Sequence, residues 1–223
     1  MVRIGLIRVL SLEDEKGINS HGLMLEAFFG DTQVNVVNRC IKGHPKGLYN
    51  ELEVRAAIPK IVRLGQEMER NDGVQSLLVS CVADPGVPEL RAASNLPVIG
   101  AGAAAAAVAL AMGKPVGALS VVDDILNPIA ELLGDRLVAW EVPDGVESTV
   151  DLMTMEGKER ILEAGEAARI RGAEVILLAC TGFSTVRIAP FLEERLRMPV
   201  VDPVISAGLL AYYLAIGNKT ITS

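Results

Sequence analysis

Gly73-Val-Gln-Ser-Leu-Leu-Val-Ser-Cys81 and Gly172-Ala-Glu-Val-Ile-Leu-Leu-Ala-Cys180 repeat one pattern, a thiol eight residues after a glycine at the end of an apolar run. The repeat extends in both directions. Leu96-Pro-Val-Ile-Gly100 follows the first thiol as Met198-Pro-Val-Val-Asp202 follows the second, and Arg3-Ile-Gly-Leu-Ile-Arg-Val9 echoes Pro115-Val-Gly-Ala-Leu-Ser-Val121. A repeat of this length restricts the chain to folds made of two similar halves, each reading strand, thiol, helix, strand. The boundary is expected near Gly100 to Lys114. Two such halves can each deliver a thiol to a shared cleft, where one takes a proton and the other gives one.

The class within each half is expected to be α/β. Short continuous runs of β-branched residues alternate with helical patterns, as in parallel strands buried on both faces. Strands are expected over Arg3–Leu10, Gln33–Asn38, Ser76–Ser80, Pro97–Ile99, Val116–Val121, Leu137–Trp140, Val175–Ala179 and Val200–Val201. Helical patterns run over Asn50–Arg70, Pro88–Ser94, Met153–Arg171, Pro190–Arg197 and Ile205–Ile216. Half of the 223 residues are hydrophobic but only 4% are aromatic, so the interior must be packed from Val, Ile, Leu and Ala.

Charge and targeting features narrow the partners. A net charge of -7 disfavours a nucleic-acid or anionic-membrane surface, which needs clustered Lys and Arg, and leaves a small molecule as the expected partner. The N-terminal stretch carries Arg3 and Arg8 within its apolar run and reads as a first strand, not a signal peptide. The longest uncharged apolar stretch, Ile99 to Met112, is short for a membrane span and reads as a tightly packed helix. Three cysteines with no Cys-x-x-Cys point to a reducing cytoplasm and against a disulfide scaffold. With only His21 and His44 for histidines, no metal site is expected. No cofactor is expected either: there is no phosphate-gripping loop, and Gly100-Ala-Gly102 lacks the third glycine of a dinucleotide fingerprint. Assembly as a homo-oligomer is expected.

Both thiols end strands of an open α/β sheet, the place where such sheets bind ligands. Helix-starting features follow each: Asp84 as a cap with Pro85 behind it, and Thr181-Gly182-Phe183-Ser184-Thr185. Free amides there are expected to lower a thiol pKa and to hold a substrate oxygen. Without such help only about 3% of a thiol is ionised at pH 7. A lone Cys after an apolar strand is ordinarily a small buried hydrophobe, and two meeting thiols can form a redox disulfide. The symmetry of Cys81 and Cys180 favours catalysis by both. Cys40 has no matching partner and reads as structural, and His44, Arg55, Arg63 and Lys114 carry no assigned role.

Ser80-Cys-Val-Ala-Asp-Pro-Gly86 and Ala179-Cys-Thr-Gly182, with the two Pro-Val strands, resemble the Asp/Glu/hydantoin racemase superfamily, and within it the hydantoin racemases. The likeness covers nearly the whole chain, including Arg8-Val-Leu-Ser-Leu-Glu-Asp14, Pro45-Lys-Gly-Leu-Tyr-Asn50 and Val201-Asp-Pro-Val-Ile205. It implies a cofactor-independent two-base isomerase with two pseudo-symmetric flavodoxin-like lobes and the active site in the cleft between them. A C-terminal helix returns to the first lobe, giving residues 1–100 plus 206–223 and residues 101–205 as the two lobes. Cys81 and Cys180 are then the catalytic bases. Substrate contacts are expected from the backbone of Val82, Ala83, Thr181 and Gly182, and from Ser80, Asp84, Ser11 and Ser120, with local structural roles as the alternative for Asp84 and the serines.

The chain departs from the pattern at informative places. Amino-acid racemases of the superfamily typically carry Cys-Asn-Thr and Cys-Thr-His, whereas here Val82-Ala83 and Thr181-Gly182 follow the thiols. That substitution favours a hydantoin or related cyclic ureide, whose ring presents carbonyl and N–H groups to backbone partners. Hydantoin and allantoin racemases commonly carry Asn-Pro-Asn-Thr-Ser after the first strand, where this chain has Arg8-Val-Leu-Ser11. The alternatives are an aspartate/glutamate-type racemase, a maleate-type isomerase, or a non-catalytic small-ligand-binding protein. A related decarboxylase would need a single catalytic cysteine, and the second thiol counts against it.

Overall fold

The computed structural model describes residues 1–45, 47, 48, 50–122, 128–146 and 154–217. The chain divides into two compact units, Met1–Ala101 with Ala207–Ser223, and Gly102–Ser206. In the first, strands β1 (Val2–Arg8), β2 (Val34–Cys40), β3 (Ser76–Ser80) and β4 (Val98–Gly100) form a parallel sheet in the order β2-β1-β3-β4. Helices α1 (Glu15–Phe29), α2 (Glu51–Asn71) and α3 (Val87–Ala93) connect them, and α4 (Ala101–Ala111) leads onward. In the second, β5 (Val116–Leu119), β6 (Leu137–Glu141), β7 (Val175–Leu178) and β8 (Val200–Val201) form a parallel sheet in the order β6-β5-β7-β8. Its helices are α5 (Pro128–Leu133), α6 (Met155–Ile170), α7 (Thr181–Thr185) and α8 (Ala189–Leu196), and α9 (Pro203–Ile216) starts there and belongs to the first unit from Ala207 on.

The fold is thus α/β with one strand order used twice. All eight expected strands are present, with ends shifted by at most two residues. The expected helices are present as well, although α6 begins at Met155 behind a Thr154 cap, and Met153 lies outside the described residues. Helices α1 and α5 were not among those expected, whereas α7 covers Thr181–Thr185, where helix-starting features follow the second thiol. Helix α1 contains Gly17, Asn19, Ser20, His21 and Gly22, which weaken intrinsic helix propensity. What forms it is tertiary and terminal: Asp14 caps the first turn by accepting from Gly17 N at 2.7 Å, and Met24 and Leu25 are buried.

The two ladders share a register. Ile4 pairs with Ser76 as Val116 pairs with Val175, and Leu77 pairs with Val98 as Ile176 pairs with Val200. Followed outward, this makes Arg8 the counterpart of Ser120, Ser80 of Ala179, Cys81 of Cys180, and Gly100 of Asp202. Helix packing repeats too. A Cβ on Gly65 of α2 would come within 2.6 Å of Leu90 on α3, and one on Gly165 of α6 within 2.7 Å of Leu196 on α8. Each glycine leaves room for the end of a leucine from the neighbouring helix.

Each sheet is covered by its own apolar cluster. Ile7, Val79 and Val98 pack with Ile61, Met68 and Leu90 in the first unit. Leu119, Ile176 and Leu178 pack with Ile161, Phe183 and Leu192 in the second. Partly buried Cys81 packs against the first cluster and Cys180 against the second. Both thiols sit where a buried sheet gives way to solvent. No helix among the described residues is long and apolar enough to cross a membrane.

Candidate active site

Strand β3 is buried along its whole length, and Cys81 is the first residue beyond it to gain exposure. Two tight turns follow: Asp84 N donates to Cys81 O at 3.1 Å and Val87 N to Asp84 O at 3.3 Å. Asp84 takes the left-handed conformation at φ 48°, which aspartate tolerates better than most residues. Asp84 is not the cap of α3, as the sequence suggested; Gly86 holds that place and makes no side-chain cap bond. The Asp84 carboxyl instead lies against Gly100, at the position a Cβ there would occupy, just before α4 begins. Among the described residues the N–H groups of Val82 and Ala83 make no hydrogen bond. They flank the first thiol and are available to an acceptor.

In the second unit Cys180 is itself the cap of α7, its Sγ accepting from Gly182 N at 3.3 Å. The thiol is partly exposed, yet burial pushes its pKa up, outweighing the lowering by the Gly182 and Phe183 amides. The amides that sequence reasoning assigned to lowering this pKa therefore act in the expected sense and are overcome by burial. Asp202 follows β8 and caps α9, its Oδ1 accepting from Val204 N at 2.8 Å and Ile205 N at 3.0 Å. The Ser184 hydroxyl donates to the same oxygen at 2.9 Å. The two units thus carry a carboxylate at matching places from opposite sources. In the first it comes from the loop, Asp84, against a strand-end glycine; in the second from the strand end, Asp202, bonded by Ser184 of α7.

The candidate serines are engaged within the chain. Ser11 Oγ donates to Ile41 O and accepts from His44 N, both at 2.9 Å. Ser120 is fully buried and its Oγ accepts from Val122 N at 3.2 Å. Ser80 is buried with its Oγ 2.8 Å from His21 Nδ1. His21 and the buried Arg8 were missed as site neighbours. Arg8 lies between β2 and β3 in the sheet, paired with Cys40 and Ser80, and its Nη1 donates to Gly17 O and Ser20 Oγ at 2.9 Å each. An arginine within an apolar strand, aligned with Ser120 by the repeat, was the available clue. Cys81, Ser80, Arg8 and Cys40 therefore share the carboxyl end of the first sheet. Among the described residues, no three or more His, Cys, Asp or Glu side chains gather where they could hold a metal ion. A hollow of about 280 Å³ lined by Asp144, Gly145, Thr154, Glu156, Gly157 and Arg160 includes none of these groups.

The pattern of the Asp/Glu/hydantoin racemase family matches residues 28–208, spanning both thiols. The chain belongs to that family. As a member of the Asp/Glu/hydantoin racemase family it is an isomerase of racemase type. A hydantoin racemase from Pseudomonas sp. (strain NS671) is 25% identical over 204 residues, covering 85% of this chain and 77% of that one. A hydantoin racemase from Paenarthrobacter aurescens is 28% identical over 167 residues, 70% of this chain and 68% of that one. Among solved structures, allantoin racemase from Klebsiella pneumoniae superposes with a TM-score of 0.80 at 20% identity, covering 95% of this chain and 86% of that one. Arylmalonate decarboxylase shares the fold at a TM-score of 0.66 and 20% identity, covering 96% and 93%. The fold alone therefore does not select among racemisation and decarboxylation.

Proposed function

We propose that this protein is a cofactor-independent two-cysteine racemase acting on a 5-substituted hydantoin or a related cyclic ureide. The observation that carries the reading is the equivalence of Cys81 and Cys180, each just beyond the third strand of the same strand order. Arylmalonate decarboxylase has this fold, and the paired thiols favour racemisation over that reaction. The hydantoin racemase relatives and the small residues after each thiol support the substrate class.

The chemistry needs one thiolate and one thiol. The thiolate removes the hydrogen from the stereogenic carbon beside the carbonyl, forming an S–H bond and leaving the C–H electron pair in a planar enolate. The opposite thiol gives its proton to the other face of that carbon and becomes the thiolate. Charge and protons balance, and the two sulfurs exchange roles at each inversion. Burial keeps Cys180 protonated in the free protein, so it supplies the acid for one direction. The Val82 and Ala83 N–H groups are donors for the enolate oxygen, each worth about 3 kcal/mol of transition-state stabilisation.

The test is incubation in D2O with single enantiomers of 5-benzylhydantoin, 5-methylhydantoin, allantoin, glutamate and aspartate, following deuterium incorporation and optical rotation together. The expected outcome is coupled exchange and loss of rotation with a hydantoin or allantoin, abolished in both Cys81→Ser and Cys180→Ser. Full activity in either variant overturns the two-base reading.

A further inference from the structure

Arg8 is 5% exposed, and its pKa falls to about 10 through burial, so it remains a cation at neutral pH. A buried cation is ordinarily paired with an acid. Among the described residues no carboxylate pairs with Arg8, and its electrostatic neighbour is the Cys40 thiol, which burial keeps protonated. The nearer groups of α1 are neutral, namely Gly17 O and Ser20 Oγ, and both bind Nη1. His21, on the same helix, has its Nδ1 on Ser80. The Arg8 Nε is buried without any hydrogen-bond partner. A buried donor left open is costly enough that it marks a place where something belongs. Arginine takes a carboxylate side-on through the edge formed by Nε and Nη2, and that edge is the one the protein leaves unused.

Position says what should fill it. Arg8 is the last residue of β1 and pairs directly with Ser80, the residue before Cys81. By its backbone Arg8 stands one strand spacing from Ser80, at the carboxyl end of the sheet where Cys81 follows, and its guanidinium turns onto α1. In the second unit the equivalent position holds Ser120, so the charge belongs to one side only. We propose that Arg8 binds a carboxylate carried by the substrate, so that this chain acts on hydantoins or ureides whose substituent ends in an anion. The inference rests on the racemase reading and adds the class of substituent.

The experiment compares hydantoin-5-acetate with its uncharged carboxamide, in the intact protein, by D2O exchange kinetics and by calorimetric binding. Wild type is expected to favour the acid by about 10- to 100-fold in kcat/KM and in affinity, the range of hydrogen bonds to a charged group. Arg8→Gln is expected to bring the acid-to-amide ratio near one, and Arg8→Lys to an intermediate value. A purely structural Arg8 would lower both substrates together and leave the ratio alone. Equal handling of acid and amide by wild type overturns the proposal, a comparison that stands even if Arg8→Gln fails to fold. Acid binding that depends on Arg8 without exchange of either compound upholds the site and overturns the racemase reading instead.

Discussion

Burial holds the proton on Cys180 while a backbone amide at 3.3 Å waits for the thiolate, and this fixes how the site responds to pH. Two-base exchange requires one sulfur charged and one neutral, so kcat/KM rises as the first thiol ionises and falls when the second does. Because the pKa of Cys180 is raised from 9.0, the falling limb is expected above the ordinary thiol value. A pH profile that declines well below pH 9 would argue that Cys180 is not the retained acid. Ser80→Ala should lower stability by about 1–3 kcal/mol by removing the buried hydroxyl 2.8 Å from His21 Nδ1. Thermal melting checks this, with the acid-to-amide ratio of wild type retained. The place of the cysteines just past two strand ends was legible in the sequence because a strand end needs only local pattern to be recognised. His21 and Arg8 were not, because their meaning lies in contacts to Ser80 and to α1 that span 59 and 9 to 12 residues.

At the level of elements, the exchange of carboxylate between loop and strand end makes opposite predictions for two aligned positions. Asp202→Ala removes two cap bonds and the Ser184 bond, and is expected to cost about 1–3 kcal/mol. Asp202→Asn keeps an oxygen for all three. Burial raises the Asp202 pKa from 3.8, so the folded state binds its proton more tightly than the unfolded chain. This group's stabilisation is full below its unfolded pKa and is lost as pH rises through the raised value. Asn should therefore flatten that loss, and melting temperatures from pH 3 to 7 decide it. Gly100→Ala puts a methyl where the Asp84 carboxyl lies and should cost about 1–3 kcal/mol, with the turn after Cys81 displaced. The strands were read correctly since their buried runs are continuous; α1 was not, since its cap and two buried apolar residues override poor local propensity.

For the whole molecule, repetition was the legible part: one phrase of sequence returned twice as one strand order. What repetition hid is where the halves differ, at Arg8 against Ser120 and Gly100 against Asp202. Those differences have a thermodynamic consequence for a racemase whose substrate has a single stereocentre. The equilibrium constant between mirror images is one, so kcat/KM must be identical for the two hands at every pH and in every variant. Binding carries no such constraint. With a cation at one place in the first unit and a hydroxyl at the matching place in the second, the two hands are expected to differ in KM and kcat by the same factor. A racemic pool at saturating concentration would then leave the protein loaded mostly with one hand, making it a selective reservoir for a compound that it turns over without preference.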